Sequence, residues 1–185
     1  MLLRTLYKIF KVGVITEPAK AFTDPELETI GTELKGVIDR RFRGSLAIRQ
    51  VDAGSCNGCE LEIHALNNAY YDLERYGLHF VASPRHADIL MVTGPVSRHM
   101  QHALLAVYEA TPDPKWVMAL GICAGNGGEF GGGDSYAHCG PVANVLPVDA
   151  VIPGCPPAPL DIIRSILTLI KDKRHTKPLP TTHKR

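Results

Sequence analysis

Four of the five cysteines in this 185-residue chain stand just beyond stretches that read as buried strands. Leu46–Asp52 leads to Cys56-Asn57-Gly58-Cys59, residues 116–121 lead to Cys123, and residues 150–153 lead to Cys155. In an open parallel sheet, ligands bind in the crevice outside the carboxyl ends of the strands. Three strand ends converging there would bring four thiolates to one point. Four thiolates bind a metal centre, and a cubane iron–sulfur cluster is the better candidate. Electron transfer is therefore the first chemistry this pattern suggests.

The local sequence supports that use of sulfur. Cys56 and Cys59 have C-x-x-C spacing on a turn into a helix N-terminus. The helix dipole and free backbone N–H groups there favour thiolate over thiol. Gly54 and Gly58 let the backbone pass close to a bound group. Pro153-Gly154-Cys155-Pro156-Pro157 is a rigid, donor-poor loop that holds a sulfur still and helps exclude water. Other readings exist. A C-x-x-C pair alone also describes a thioredoxin-like redox couple, but that leaves Cys123 and Cys155 unexplained. Structural zinc on four cysteines is chemically sound, yet zinc ligands usually come as two close pairs, and Cys123 and Cys155 are far apart. Taken singly, those two would be small buried hydrophobes; their shared position at strand ends argues otherwise. Cys139, beside His138, Gly140 and Pro141, reads as a loop residue with a free or buried thiol, and as a substitute ligand only in a lesser alternative.

The elements that must position these residues follow from the apolar pattern. From Leu46 onward, strands alternate with helices. The spacing predicts a long helix over 58–76 with Gly77 as its C-cap, strands over 79–82 and 88–93, and a helix over 100–110 stopped by Pro112 and Pro114. A strand over 115–120 follows, then a glycine-rich loop from Gly125 to Gly133, a last strand over 150–153 and a final helix over 160–170. Such alternation implies right-handed crossovers and a parallel sheet covered on both faces. Residues 1–44 read differently, as an arm that docks on a partner or a membrane arm. Leu2, Leu3, Leu6, Ile9, Phe10 and Val14 form an apolar helical stripe with Lys8 and Lys11 between, and Glu17-Pro18 breaks it. Asp24 then caps a helix with Pro25 at its first position, carrying Leu27, Ile30, Leu34, Val37 and Ile38. The α/β domain spans 45–171, and 172–185 is expected to be a flexible basic tail.

Composition excludes several classes. The net charge is +1 and charged residues are 21% of the chain, so nothing global points to nucleic acid. No apolar run approaches the roughly 20 residues of a membrane span, and the N-terminus lacks the long apolar core of a signal peptide. A cytoplasmic setting, where cysteines stay reduced, favours metal binding over structural disulfides. The glycine-rich loop has no Walker lysine and no G-x-G-x-x-G between strand and helix, so it is read as a cover for the cluster rather than a nucleotide site.

These residues bring a family into view. Ser55-Cys56-Asn57-Gly58-Cys59-Glu60-Leu61-Glu62, Gly121-Ile122-Cys123-Ala124, Val148-Asp149 and Pro153-Gly154-Cys155-Pro156-Pro157, in that order, resemble the small-subunit family shared by respiratory complex I and [NiFe] hydrogenases. Complex I members carry adjacent cysteines at the first position; here Cys56 and Cys59 are separated by Asn57-Gly58, as in hydrogenases. Residues 56–75 and the segment Ala87-Asp88-Ile89-Leu90-Met91-Val92-Thr93-Gly94 look like the small subunit of membrane-bound, energy-converting [NiFe] hydrogenases of the hydrogenase-3, hydrogenase-4 and formate hydrogenlyase type. On this resemblance, neither the added cluster domain nor the twin-arginine leader of periplasmic uptake enzymes is expected. Residues 1–43 and the loop at 125–140 depart from the family pattern.

The resemblance implies a flavodoxin-like α/β fold and one proximal [4Fe–4S] cluster held by Cys56, Cys59, Cys123 and Cys155. It implies an oxidoreductase subunit that relays electrons, with the catalytic [NiFe] centre in a separate hydrogenase-type large subunit. A ferredoxin-like iron–sulfur subunit and antiporter-type membrane subunits are the other expected partners. The expected place is peripheral, on the cytoplasmic side of the inner membrane. The alternative is the same relay role in a hydrogenase-related or complex I-like quinone oxidoreductase without nickel; a zinc-stabilised assembly protein is a further rival. Glu60 is explained by its place near the helix N-terminus. Glu62 falls near a glutamate that many members carry beside the cluster, which raises coupling of proton to electron transfer as a lesser reading. His64 reads as packed or at an interface, and Asp149 as a backbone-capping residue. Arg85-His86 and Arg98-His99 flank the third strand and are assigned no role.

Overall fold

In the computed structural model, residues 2–13, 24–131 and 136–172 are described. Val14, the Glu17-Pro18 break, Gly132, Gly133 and the basic tail beyond Asp172 lie outside the described residues. Five strands, β1 (Leu46–Asp52), β2 (Leu78–Phe80), β3 (Ile89–Thr93), β4 (Trp116–Leu120) and β5 (Ala150–Ile152), form one sheet in the order β2-β1-β3-β4-β5. Every pairing is parallel. This is the strand order of flavodoxin-like doubly wound folds, as the resemblance implied.

The central strands are apolar throughout because both faces are covered. Ile89 and Met91 of β3, with Trp116, Met118 and Leu120 of β4, pack into one core. Leu90, Val92, Val117 and Ala119, alternating with them, pack into the other. The first core is closed by α2 (Pro25–Phe42), α3 (Gly58–Leu66) and α7 (Pro159–Lys171). The second is closed by Leu104 of α4 (Arg98–Ala110), Ala124 of α5 (Ile122–Asn126) and the loop residues Val142 and Leu146.

Three expectations change. Residues 24–44 are not part of a separate arm. Asp24 does cap α2, with its carboxylate accepting the Glu26 N–H at 2.9 Å, but Leu27, Leu34, Val37 and Ile38 are buried in the main core beside Ile162, Ile166 and Ile170 of α7. The helical stripe was correctly read; its partner is this chain. Helix α1 (Leu2–Val12) has no buried residue.

The helix over 58–76 is two pieces. α3 stops at Leu66, and a short 3-10 turn follows at Leu73–Tyr76 before Gly77. The Asn68 side chain accepts the N–H groups of Tyr70 and Tyr71, at 2.9 and 3.0 Å. An Asn side chain that takes backbone donors in this way offers the chain an alternative to the helical ladder. The apolar spacing continues across the break because Leu73 and Tyr76 still fold into the same core.

The glycine-rich segment begins as two short helices, α5 and α6 (Gly128–Gly131), rather than as an open loop. Among the described residues, no helix is long and apolar enough to cross a membrane.

Candidate metal centre

The carboxyl end of the sheet gathers the cysteines. β1 ends at Asp52, whose Oδ1 accepts the N–H groups of both Gly54 and Ser55 at 2.8 Å and turns the chain sharply. Ser55 Oγ then accepts the Asn57 N–H at 3.1 Å. Asn57 takes a left-handed conformation, φ 71°, and α3 starts at Gly58, so Cys59 lies in the first turn of a helix and Cys56 on the loop before it. On the other side of the rim, backbone pairing continues past β5. Gly121 N–H donates to Ile152 O at 2.8 Å, and Ile122 N–H donates to Gly154 O at 2.9 Å. These two bonds set Cys123, the second residue of α5, beside the loop that bears Cys155.

Cys56, Cys59, Cys123 and Cys155 line one cavity of about 100 Å³, together with Ser55, Gly58, Gly94, Ile122, Gly154 and Pro156. All four sulfurs are free thiols. The thiols also feel one another electrostatically. Burial, the Glu60 carboxylate, and then the Cys56, Cys123 and Cys155 sulfurs push Cys59 up to about 12. Burial and the Cys155 and Cys56 sulfurs likewise raise Cys123. Four anionic sulfurs in this half-buried place are mutually destabilising unless a cationic core sits among them. Among the described residues, no three Cys, His, Asp or Glu side chains are gathered tightly enough to hold a single metal ion. The thiols share the rim of a cavity, not one coordination point.

Cys139 is elsewhere. It packs against the second core, its N–H donates to Val96 O at 2.6 Å and its Sγ approaches Gln101 Oε1 at 3.3 Å. Asp149 does cap backbone: its Oδ2 accepts the Val117 N–H at 2.8 Å. Asp88 does the same for Ala47 N–H at 2.8 Å, and burial raises its carboxyl above the ordinary range. Arg85 and His86 precede β3, at the end of the sheet away from the cysteines, whereas Arg98 and His99 open α4 on the cysteine side. His64 is exposed and Glu62 only partly covered.

Glu60 is more than a residue placed for the helix dipole. It is 6% exposed; Ser55 Oγ donates to its Oε2 at 2.7 Å, and Thr93 Oγ1 donates to its Oε1. Thr93, a hydroxyl at the end of an otherwise apolar strand, was the available sequence signal, because a buried hydroxyl needs a partner.

The family model described as NADH ubiquinone oxidoreductase, 20 Kd subunit, matches residues 56–169. Formate hydrogenlyase subunit 7 of Escherichia coli (strain K12) is 40% identical over 147 residues, which are 78% of this chain and 57% of that protein. The probable membrane-bound hydrogenase subunit mbhJ of Pyrococcus furiosus is 46% identical over 121 residues, 65% of this chain and 71% of that protein. Among solved structures, the membrane-bound sulfane sulfur reductase, an archaeal respiratory membrane complex, contains a chain similar at a TM-score of 0.60 and 34% identity, over 75% of this chain and 76% of that one.

Proposed function

Because this chain belongs to the family of the 20 kDa subunit of NADH ubiquinone oxidoreductase, we propose that it is the electron-relay subunit of a membrane-associated [NiFe] hydrogenase complex of the hydrogenase-4 or formate hydrogenlyase type. The observation that carries this reading is the single cavity lined by Cys56, Cys59, Cys123 and Cys155. An all-sulfur set of four donors suits an iron–sulfur cluster, and these four residues would hold one [4Fe–4S] cluster. When bound, the cluster supplies one-electron transfer and no bond chemistry.

The chain's own residues do the positioning. The Asp52 turn and the start of α3 present Cys56 and Cys59. The bonds from Gly121 and Ile122 to the β5 side hold Cys123 near Cys155. Ile122 and Pro156, on the cavity wall, limit water. The chain is an oxidoreductase subunit, and relatives named as hydrogenase subunits support a multisubunit assembly. Within it we place a hydrogenase-type large subunit with the [NiFe] centre, a ferredoxin-like iron–sulfur subunit, and antiporter-type membrane subunits. Helix α1, with exposed Leu2, Leu3, Leu6, Ile9 and Phe10, docks this subunit on the membrane arm at the cytoplasmic face of the inner membrane.

Anaerobic purification of the complex tests the reading. Roughly four more iron atoms than in the same complex carrying Cys155→Ser, and a low-temperature EPR signal on reduction that the variant lacks, are expected; equal iron in the two, or zinc in place of that iron, overturns it. A second reading has its own support, since the sulfane sulfur reductase chain is 34% identical: the same relay serves a related complex, sulfur- or quinone-reducing, without nickel. Hydrogen-dependent reduction by the intact complex decides between them, as does the presence of two C-x-x-C pairs in the large subunit.

A further inference from the structure

Glu60 and Thr93 are two of only three buried polar or charged side chains among the described residues, and they bond to each other. The second oxygen of Glu60 is held by Ser55 Oγ at 2.7 Å. Among the described residues, no ion pair includes Glu60. A carboxylate so placed is compensated by two hydroxyl dipoles and by the N-terminal turn of α3, with no opposite charge paired to it among the described residues, and a buried charge acts strongly on its surroundings because the local dielectric is low. Both clamps belong to the rim. Ser55 precedes Cys56 and lines the cavity, while Thr93 precedes Gly94, another lining residue. Glu60 itself follows Cys59 in the chain.

We propose that Glu60 is a positioning residue whose carboxylate, clamped by Ser55 and Thr93, sets how readily the four-cysteine site accepts an electron. This rests on the reading that the cysteines hold an iron–sulfur cluster. The sign follows from charge: a fixed negative group beside the site opposes each added electron, and net charge is one of the factors that set cluster potentials. The hydroxyl dipoles offset part of that field, so losing a hydroxyl and losing the carboxylate act in opposite directions.

The test is an EPR-monitored redox titration of the full chain in its anaerobically purified complex, with iron counted first. Glu60→Gln keeps the side-chain shape, an oxygen that accepts one hydroxyl and an amide that donates to the other; only the charge goes. Its expected effect is about a tenfold rise in the reduced-to-oxidised ratio at a fixed applied potential, equal to about 59 mV for a one-electron couple, with iron content unchanged. Thr93→Val keeps the shape and the carboxylate but removes one dipole, and the ratio falls severalfold. A structural role alone gives no opposed pair of shifts. Full iron with an unmoved potential in Glu60→Gln, or shifts of the same sign in both variants, overturns the proposal. Should Glu60→Gln fail to retain iron, Thr93→Val decides alone: a fall supports the proposal and anything else overturns it. A wild-type complex with no more iron than one carrying Cys155→Ser removes the cluster reading as well, which distinguishes the two failures.

Discussion

Gly121 stands against the sulfur of Cys59: a Cβ built on Gly121 would lie 2.7 Å from Cys59 Sγ. The two residues come from different strand ends, β4 and β1, so this close approach is where two sides of the rim meet. Gly121 also has φ +88°, a backbone conformation that side chains resist. Gly121→Ala should therefore push Cys59 out of place and strain the turn by about 1–3 kcal/mol. The expected result is a chain that purifies with less iron than wild type and melts earlier. Iron per chain and thermal unfolding, measured on the same preparation, check it; normal iron content means the contact does not constrain the site.

Two glycines on α2 separate packing from propensity. A Cβ at Gly31 would fall 2.2 Å from Tyr76 Cζ, inside the core, whereas at Gly36 the nearest atom is the mobile end of Arg40 at 3.4 Å. Gly31→Ala should destabilise by about 1–3 kcal/mol, as overpacking does. Gly36→Ala should stabilise by about 0.5–1 kcal/mol, because glycine is a poor interior helix residue. Denaturant unfolding reads both. If α2 were an independent arm, neither change would alter the unfolding of the sheet.

That result bears on what was legible in the residues. Three of the strands, β1, β4 and β5, were legible together with the cysteines just beyond them, because each ends in a glycine or a turn a few residues before its cysteine. The break in the helix after Leu66 was not, since Leu73 and Tyr76 return to the same core and preserve the spacing. The place of α2 was also hidden, because an apolar stripe does not say whether its partner is the same chain. The clamp on Glu60 was hidden for a different reason: Thr93 reaches it from 33 residues away, and only the pairing of β1 with β3 brings them together.

Asp149 ties the last strand to β4. Its Oδ2 accepts the N–H of Val117, a buried residue, just before Ala150 enters register with Met118. Asp149→Ala leaves that donor without its acceptor, at a cost of about 1–3 kcal/mol. Asp149→Asn keeps an oxygen for the same bond and should recover most of the loss. Thermal unfolding of both variants checks this. An Asp149→Ala melting curve equal to wild type shows that water replaces the carboxylate and that the strand needs no such tie.

The ligand set itself is tested by comparing Cys155, read as a ligand, with Cys139, read as a free or buried thiol. Cys155 lines the cavity with Cys56, Cys59 and Cys123, whereas Cys139 packs into the second core beside Gln101. Serine in place of a ligating thiolate is a harder and far less acidic donor, so Cys155→Ser should lose most of the iron and the EPR signal. Cys139→Ser replaces a thiol in a mixed apolar and polar contact. It should keep the wild-type iron count and lower stability by about 0.5–1.5 kcal/mol at most, the scale of one modest hydrogen-bond and packing change. Iron analysis after anaerobic purification separates the outcomes. If Cys139→Ser loses the iron and Cys155→Ser retains it, the rim cavity is not the binding site, because Cys155 lines that cavity and Cys139 packs against the second core.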